Sequence, residues 1–168
     1  MKKTITLLYV LAMLCLNVNA QNTFALKLNA AALGYYPISA GSGVGIGFET
    51  NTGEKSTLGV NATFGKVQDF VALRYSISPE FRYYFKTAFE GFYVAGNFSY
   101  DQFKPINDLK NNFGSYLFGI GASVGTNVIL KDNIIFGINL GAQATGPSRS
   151  TESVKSKLIA NIELGYRF

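Results

Sequence analysis

The sequence predicts an all-β fold, an eight-stranded antiparallel up-and-down transmembrane β-barrel. Three observations predict it. The last eleven residues alternate without a break: Leu158, Ala160, Ile162, Leu164, Tyr166 and Phe168 share one face, and Ile159, Asn161, Glu163, Gly165 and Arg167 the other. Such a strand, ending on an aromatic, is the pattern of a barrel's closing strand. Seven earlier segments alternate in the same way. The composition is 48% hydrophobic but only 15% charged, below the usual quarter for a soluble domain. With 18 Gly, 14 Phe and 10 Tyr, it suits a barrel whose outer wall meets lipid.

Residues 1–20 read as a secretory signal peptide. Lys2 and Lys3 form the positive end, Ile5 to Leu16 the apolar stretch, and Val18-Asn19-Ala20 offers the small residue needed at the cleavage site. The apolar run is shorter than the ~20 residues of a spanning helix. Leu14 precedes Cys15 where lipoprotein processing wants a small residue, so cleavage after Ala20 is expected. The domain is then 21–168. It carries 13 basic and 10 acidic side chains, a scattered excess that gives no reason to expect nucleic acid. The single cysteine leaves with the signal, which removes disulfides and thiol chemistry.

Eight strands follow, each set by its apolar face. The first, Phe24 to Gly34, shows Phe24, Leu26, Leu28, Ala30 and Ala32. The second, Gly41 to Thr50, shows Val44, Ile46 and Phe48. The third, Ser56 to Gly65, shows Leu58, Val60, Ala62 and Phe64. The fourth, Val71 to Phe85, shifts parity and shows Val71, Leu73, Tyr75, Ile77, Phe81, Tyr83 and Phe85. The fifth, Gly91 to Tyr100, shows Phe92, Val94, Phe98 and Tyr100. The sixth, Ser115 to Leu130, shows Tyr116, Phe118, Ile120, Ala122, Val124, Val128 and Leu130. The seventh, Ile134 to Thr145, shows Ile134, Phe136, Ile138, Leu140 and Ala142. The eighth is the closing strand. Most match the ~9–11 residues of a tilted membrane strand. Pro79 lacks the N–H that the fourth strand needs, so a bulge or a split strand is expected there.

Short turns are expected at Asn51–Lys55, Lys86–Glu90 and Lys131–Asn133, on the periplasmic side. The opposite connections, Asp101–Asn112 and Gly146–Lys155 above all, are longer and polar, as external loops are. Phe24, Phe48, Tyr83, Phe85, Phe92, Phe136, Tyr166 and Phe168 fall near periplasmic ends. Tyr35, Tyr36, Phe64, Tyr100 and Tyr116 fall near external ends. Two aromatic belts result, where amphipathic rings prefer to sit.

No charged residue falls on the apolar face of any strand so bounded. The other face carries Lys27, Glu49, Arg74, Glu80, Arg82, Lys157, Glu163 and Arg167. In the reversed frame these would face lipid, where each Lys or Arg costs about 2–4 kcal/mol at the midplane. Several such terms rival a fold stability of ~5–15 kcal/mol. In a soluble barrel with its apolar face inside, the polar face would meet water, yet that face is rich in Gly, including Gly43, Gly45, Gly47, Gly121, Gly125 and Gly137. Glycine suits a narrow lumen where backbones crowd. The inward charges are expected to form an ion-pair network plugging that lumen, since eight strands leave just enough room for side chains.

The chain has no His, which excludes Ser-His-Asp triads and His-based metal sites. Gly41-Ser42-Gly43-Val44-Gly45-Ile46-Gly47 lacks the Lys and helix of a phosphate loop and reads as an inward glycine stripe. Asp101, Asp108 and Asp132 lie in connections without calcium-loop spacing, so solvated charge is expected. No catalytic residue, cofactor or metal is expected.

Pro79-Glu80-Phe81-Arg82-Tyr83-Tyr84-Phe85, followed by Gly91-Phe92-Tyr93-Val94, resembles the "PE-x-RYYF … GFYVG" pattern of a family of outer-membrane β-barrel proteins of unknown function. Ala95 stands where the pattern has Gly. With the closing Leu164-Gly165-Tyr166-Arg167-Phe168, the chain resembles small Gram-negative outer-membrane barrels of the OmpA/OmpX size class. The resemblance implies an outer-membrane location. It also implies that Tyr166 and Phe168 belong to the signal read by the barrel-assembly machinery. The reading that follows is a monomeric, non-enzymatic barrel with a structural role, or one that presents loops 101–112 and 146–155 to an outside partner. A channel for small solutes or hydrophobic molecules is the alternative, resting on the inward glycines. A lipid-acting enzyme is disfavoured by the lack of His.

Overall fold

The structure, a computed structural model, describes residues 23–36, 39–67, 72–105, 115–146 and 156–168. The expected signal peptide, and residues 106–112 and 147–155 of the two long external loops, lie outside the described residues. The described residues form eight antiparallel strands in one closed barrel. These are β1 (Phe24–Tyr36), β2 (Ser39–Asn51), β3 (Ser56–Val67), β4 (Ala72–Tyr84), β5 (Gly91–Pro105), β6 (Ser115–Leu130), β7 (Ile134–Thr145) and β8 (Ser156–Arg167). Each strand pairs with its sequence neighbours, and β1 pairs with β8 from Ala25↔Arg167 to Tyr36↔Ser156. Closure removes every free sheet edge, which is what lets strands cross lipid.

Parity decides which way each side chain points, because successive residues on a strand face opposite sides. Leu28, Val44, Ile46, Ile120 and Leu140, each more than 60% exposed, face outward. A soluble protein would not leave such a band uncovered. In β4 the outward residues are odd-numbered (Tyr75, Ile77, Phe81, Tyr83), as the shifted parity requires. Inward positions are buried and mostly polar.

The barrel seals around its last residue. The Phe168 amide donates to the Phe24 carbonyl at 2.8 Å, and the Arg167 amide to the Asn133 carbonyl at 2.8 Å. The Phe168 ring stacks on Phe24 with centroids 4.8 Å apart and meets Tyr166 edge-on at 4.8 Å. Phe48 extends the cluster at 5.9 Å from Phe24. At the other end Phe64 meets Tyr75 and Tyr100 stacks on Tyr116.

Pro79 causes neither a bulge nor a split. β4 is continuous, and its register with β5 is the same on both sides, Ile77↔Tyr100 and Glu80↔Asn97. Ladder pairing lapses only between these pairs. There the Ser78 hydroxyl donates to the Phe98 carbonyl at 2.8 Å, supplying from a side chain the donor that proline lacks.

Several strands run longer than expected. β3 continues through Lys66 to Val67, and β5 through Asp101 to Pro105. Two consequences correct the sequence reading. Asp101 sits inside the barrel wall, fully buried, and is not a solvated loop charge. Lys66 falls at an exposed, outward position, so the outer face carries a charge at the end opposite Phe168.

Candidate functional site

The lumen is where the polar chemistry gathers. Among the described residues, eight charged side chains point into it, all at most 8% exposed: Lys27, Glu49, Arg74, Glu80, Arg82, Asp101, Lys157 and Glu163. Four are basic and four acidic, so the buried set is neutral. Charged groups are almost never this buried unless paired, and the lumen pairs each of them.

The lower network, toward the end of the barrel that carries Phe24 and Phe168, joins β1, β2, β4 and β8. Arg82 grips Glu163 with two bonds, Nη1–Oε2 at 2.8 Å and Nη2–Oε1 at 2.6 Å. This paired geometry is among the strongest available to a carboxylate. Arg82 also donates Nε to Glu80 and lies 3.4 Å from Glu49. Lys27 pairs with Glu49 and, at 3.1 Å, with Glu163. Glu49 further accepts from Thr57 Oγ1 at 2.5 Å and from the Tyr84 hydroxyl at 2.8 Å. The Arg82 guanidinium also lies over the Tyr93 ring, 4.6 Å from its centroid.

The upper network, toward the opposite end, joins β4, β5, β7 and β8. Arg74 donates Nε and Nη2 to Asp101 Oδ1 at 3.0 and 2.7 Å. Lys157 reaches Asp101 Oδ2 at 2.7 Å and Ser99 at 3.3 Å. Ser99 donates to Gln143, which donates to Asn97. Between the networks lies a polar cavity of about 40 Å³, lined by Asn29, Asn61, Arg74, Glu80, Asn139 and Lys157 among others. It is room for water and little else.

Below the lower network an apolar stopper closes the base. The turn after β4 folds inward and buries Phe89 against Ala25 and Ile135, with Ala88 and Ile129 around them. Phe89 takes φ 71°, a conformation costly for a bulky residue. Its turn is fastened to the β2–β3 turn, the Ala88 amide donating to the Glu54 carbonyl and the Tyr84 amide to the Lys55 carbonyl.

The inward glycines do not hollow the lumen. A Cβ on Gly125 would stand 2.5 Å from the Tyr93 ring, and one on Gly47 would stand 2.3 Å from the Asn61 amide. Each absent Cβ makes room for a larger neighbour. Seven of the eight charged residues expected inside are thus brought together. Arg167 is not, because β8 ends there and its Nη2 donates instead to the Asp132 carbonyl at the exposed rim. Sequence reasoning missed Asp101, Tyr84, Tyr93 and Phe89. Strand parity carried forward would have found the first three; Phe89 lies in a turn and has no such signal. Among the described residues, no group of three or more His, Cys, Asp or Glu could hold a metal ion.

The family described as "Protein of unknown function (DUF3575)" matches residues 6–145. The chain belongs to this family. No curated protein matches the sequence. Among solved structures, this DUF3575 barrel is similar to Neisserial surface protein A, with TM-score 0.64, 17% identity, and 87% of this chain and 95% of that one covered. It is also similar to the N-terminal β-barrel domain of Pseudomonas aeruginosa OprF, with TM-score 0.56, 18% identity, and 86% and 97% covered. At these identities the likeness is one of fold: the DUF3575 chain folds as a small outer-membrane barrel does.

Proposed function

We propose that the protein is a non-enzymatic outer-membrane barrel with a closed lumen, acting as an envelope structural protein or as a rigid scaffold for its external loops. The filled lumen carries this reading. Two neutralising ionic networks and the Phe89 stopper occupy the bore, and among the described residues they fill the space a solute would need. An apolar outer band between two aromatic belts supports membrane insertion. The outer-membrane folds of the neighbours support that membrane in particular. Export would follow cleavage after Ala20, and Tyr166 and Phe168 would present the closing strand to the assembly machinery. The barrel is taken as a monomer.

Expression of the full chain in a Gram-negative host, followed by membrane fractionation, tests the reading. The protein is expected in the outer membrane, with an amino terminus at Gln21 and faster gel migration before boiling than after. A freely soluble periplasmic protein would sink the proposal.

A further inference from the structure

Short turns fix strand register, and β8 is the one strand with no short connection on either side. It is reached from β7 through residues 146–155, and it pairs with β1 as last strand with first. The outer face does not fix its register either. A slip by one residue would turn Lys157 and Glu163 toward lipid, but a slip by two keeps every side chain on its own face. With each β8 residue moved two places toward the Phe168 end, the outward row would run Ser156, Leu158, Ala160, Ile162, Leu164, Tyr166, still without a charge. Tyr166 would replace Phe168 on the Phe24 ring, and Lys155 would replace Lys157 beside Asp101.

Two neighbouring inward positions tell the registers apart. In the native pairing Glu163 accepts from both terminal nitrogens of Arg82 and from Lys27. In the slipped pairing Asn161 would stand there, and two buried cations would lose their shared carboxylate. Gly165 holds the next inward place, where a Cβ would stand 2.8 Å from the Leu26 carbonyl oxygen and 2.8 Å from Lys27 Cγ. The slip would drive Glu163 into that space. A slip the other way would set Gly165 against Arg82 and drive Arg167 into the same space.

We propose that Glu163 and Gly165 are a recognition code for barrel closure. The bore is a selective seat for the chain's own last strand. It reads a carboxylate, which Arg82 and Lys27 require, and two residues later a position without a side chain. The lipid face chooses which side of β8 points inward, and the code chooses one register among those that parity allows. Fixing register is the best-attested use of a buried polar group, and leaving a buried ion without its partner is what penalises the alternatives. The inference stands on the barrel itself and goes beyond the function proposed above.

Disulfide trapping across the β1–β8 seam reads the register, because residues 21–168 contain no cysteine of their own. Ala30→Cys with Ile162→Cys reports the native pairing, Ala30↔Ile162. Ala30→Cys with Ala160→Cys reports the slipped one. The offset between the two is about 7 Å along the strand, so each pair closes only in its own register. The full chain is expressed in a Gram-negative host, extracted and oxidised, and the disulfide yield is read by mass after thiol alkylation. With the native inner face, the native pair should close more than about tenfold better than the slipped pair, a modest return for keeping one buried ionic set intact. Glu163→Gly removes the carboxylate and gives the slip a glycine for the tight place, so both pairs should close in comparable yield. Lys157→Ile, Ile159→Asn, Asn161→Glu and Glu163→Gly together move the inner-face sequence two residues upstream, with Lys155 already placed for Asp101. This combined variant should close the slipped pair in preference. Closure of the native pair alone in Glu163→Gly or in the combined variant would overturn the inference. So would free closure of the slipped pair behind the native inner face. Failure of the combined variant to fold, seen as loss of heat-modifiable migration, would overturn it too, because the slipped register restores its lumen contacts. Failure of the cysteine-bearing chain with the native inner face to fold would instead count against the barrel itself.

Discussion

The two ionic networks of the lumen differ in how completely they are satisfied. The lower one holds two cations and three carboxylates, and every carboxylate is met by Arg82. It sits directly above the apolar stopper. The upper one holds two cations around a single carboxylate, Asp101, and Arg74 keeps one buried nitrogen, Nη1, with no partner beside the polar cavity. The lower network carries one excess negative charge and the upper one excess positive, and the two cancel along the bore. The comparison teaches that the barrel is welded at its base and held more loosely toward the outside. At the base one guanidinium touches all three carboxylates, with Lys27 bridging two of them beside it.

Breaking that guanidinium should have the largest effect. Arg82→Met leaves Glu49, Glu80 and Glu163 buried with only Lys27 to offset them. Removing one partner of a buried ionic set costs about 3–5 kcal/mol, so urea unfolding in lipid vesicles should show a loss of that size. Asp101→Asn keeps the side chain's shape and one acceptor oxygen but takes from Arg74 and Lys157 their only carboxylate, so it should cost less, at the low end of the same range, about 3 kcal/mol. A loss as large as that of Arg82→Met would erase the distinction between the networks. Gly125→Ala sharpens the picture of a filled lower lumen. Its Cβ collides with Tyr93, and overpacking of this kind costs about 1–3 kcal/mol. In a Tyr93→Ala background the same Gly125→Ala step should cost less than it does in the wild type, and an unchanged cost would show that the ring is not the obstacle. Lys86→Ala is the control. It breaks the exposed pair with Glu90 and should change stability by less than about 1 kcal/mol.

Much of the molecule was legible in alternation alone. The strand count, the order of strands and the outward face follow from apolar residues at every second position. Reversing the frame would have put charges in lipid. What alternation did not reveal was where strands end. The stretch Asp101-Gln102-Phe103-Lys104 reads as polar loop, yet β4 supplies ladder partners up to Pro105, and pairing outweighs composition. The misplaced boundary hid Asp101 from the lumen. Arg167 erred in the opposite sense. Its parity is inward, but it is the last strand residue and turns to the nearest carbonyl acceptor at the rim. Pro79 looked disruptive because its missing donor was counted without the neighbouring Ser78 hydroxyl, which restores it. Phe89 depends on a turn docking beneath the barrel, a tertiary event that no local pattern announces.

The central claim is that the bore is closed. Planar-bilayer recording on the purified wild-type barrel tests it most directly, with heat-modifiable migration confirming that the sample is folded. The lumen described above predicts no steady conductance at moderate voltage. A stable, ohmic single-channel conductance from the folded wild type would contradict it.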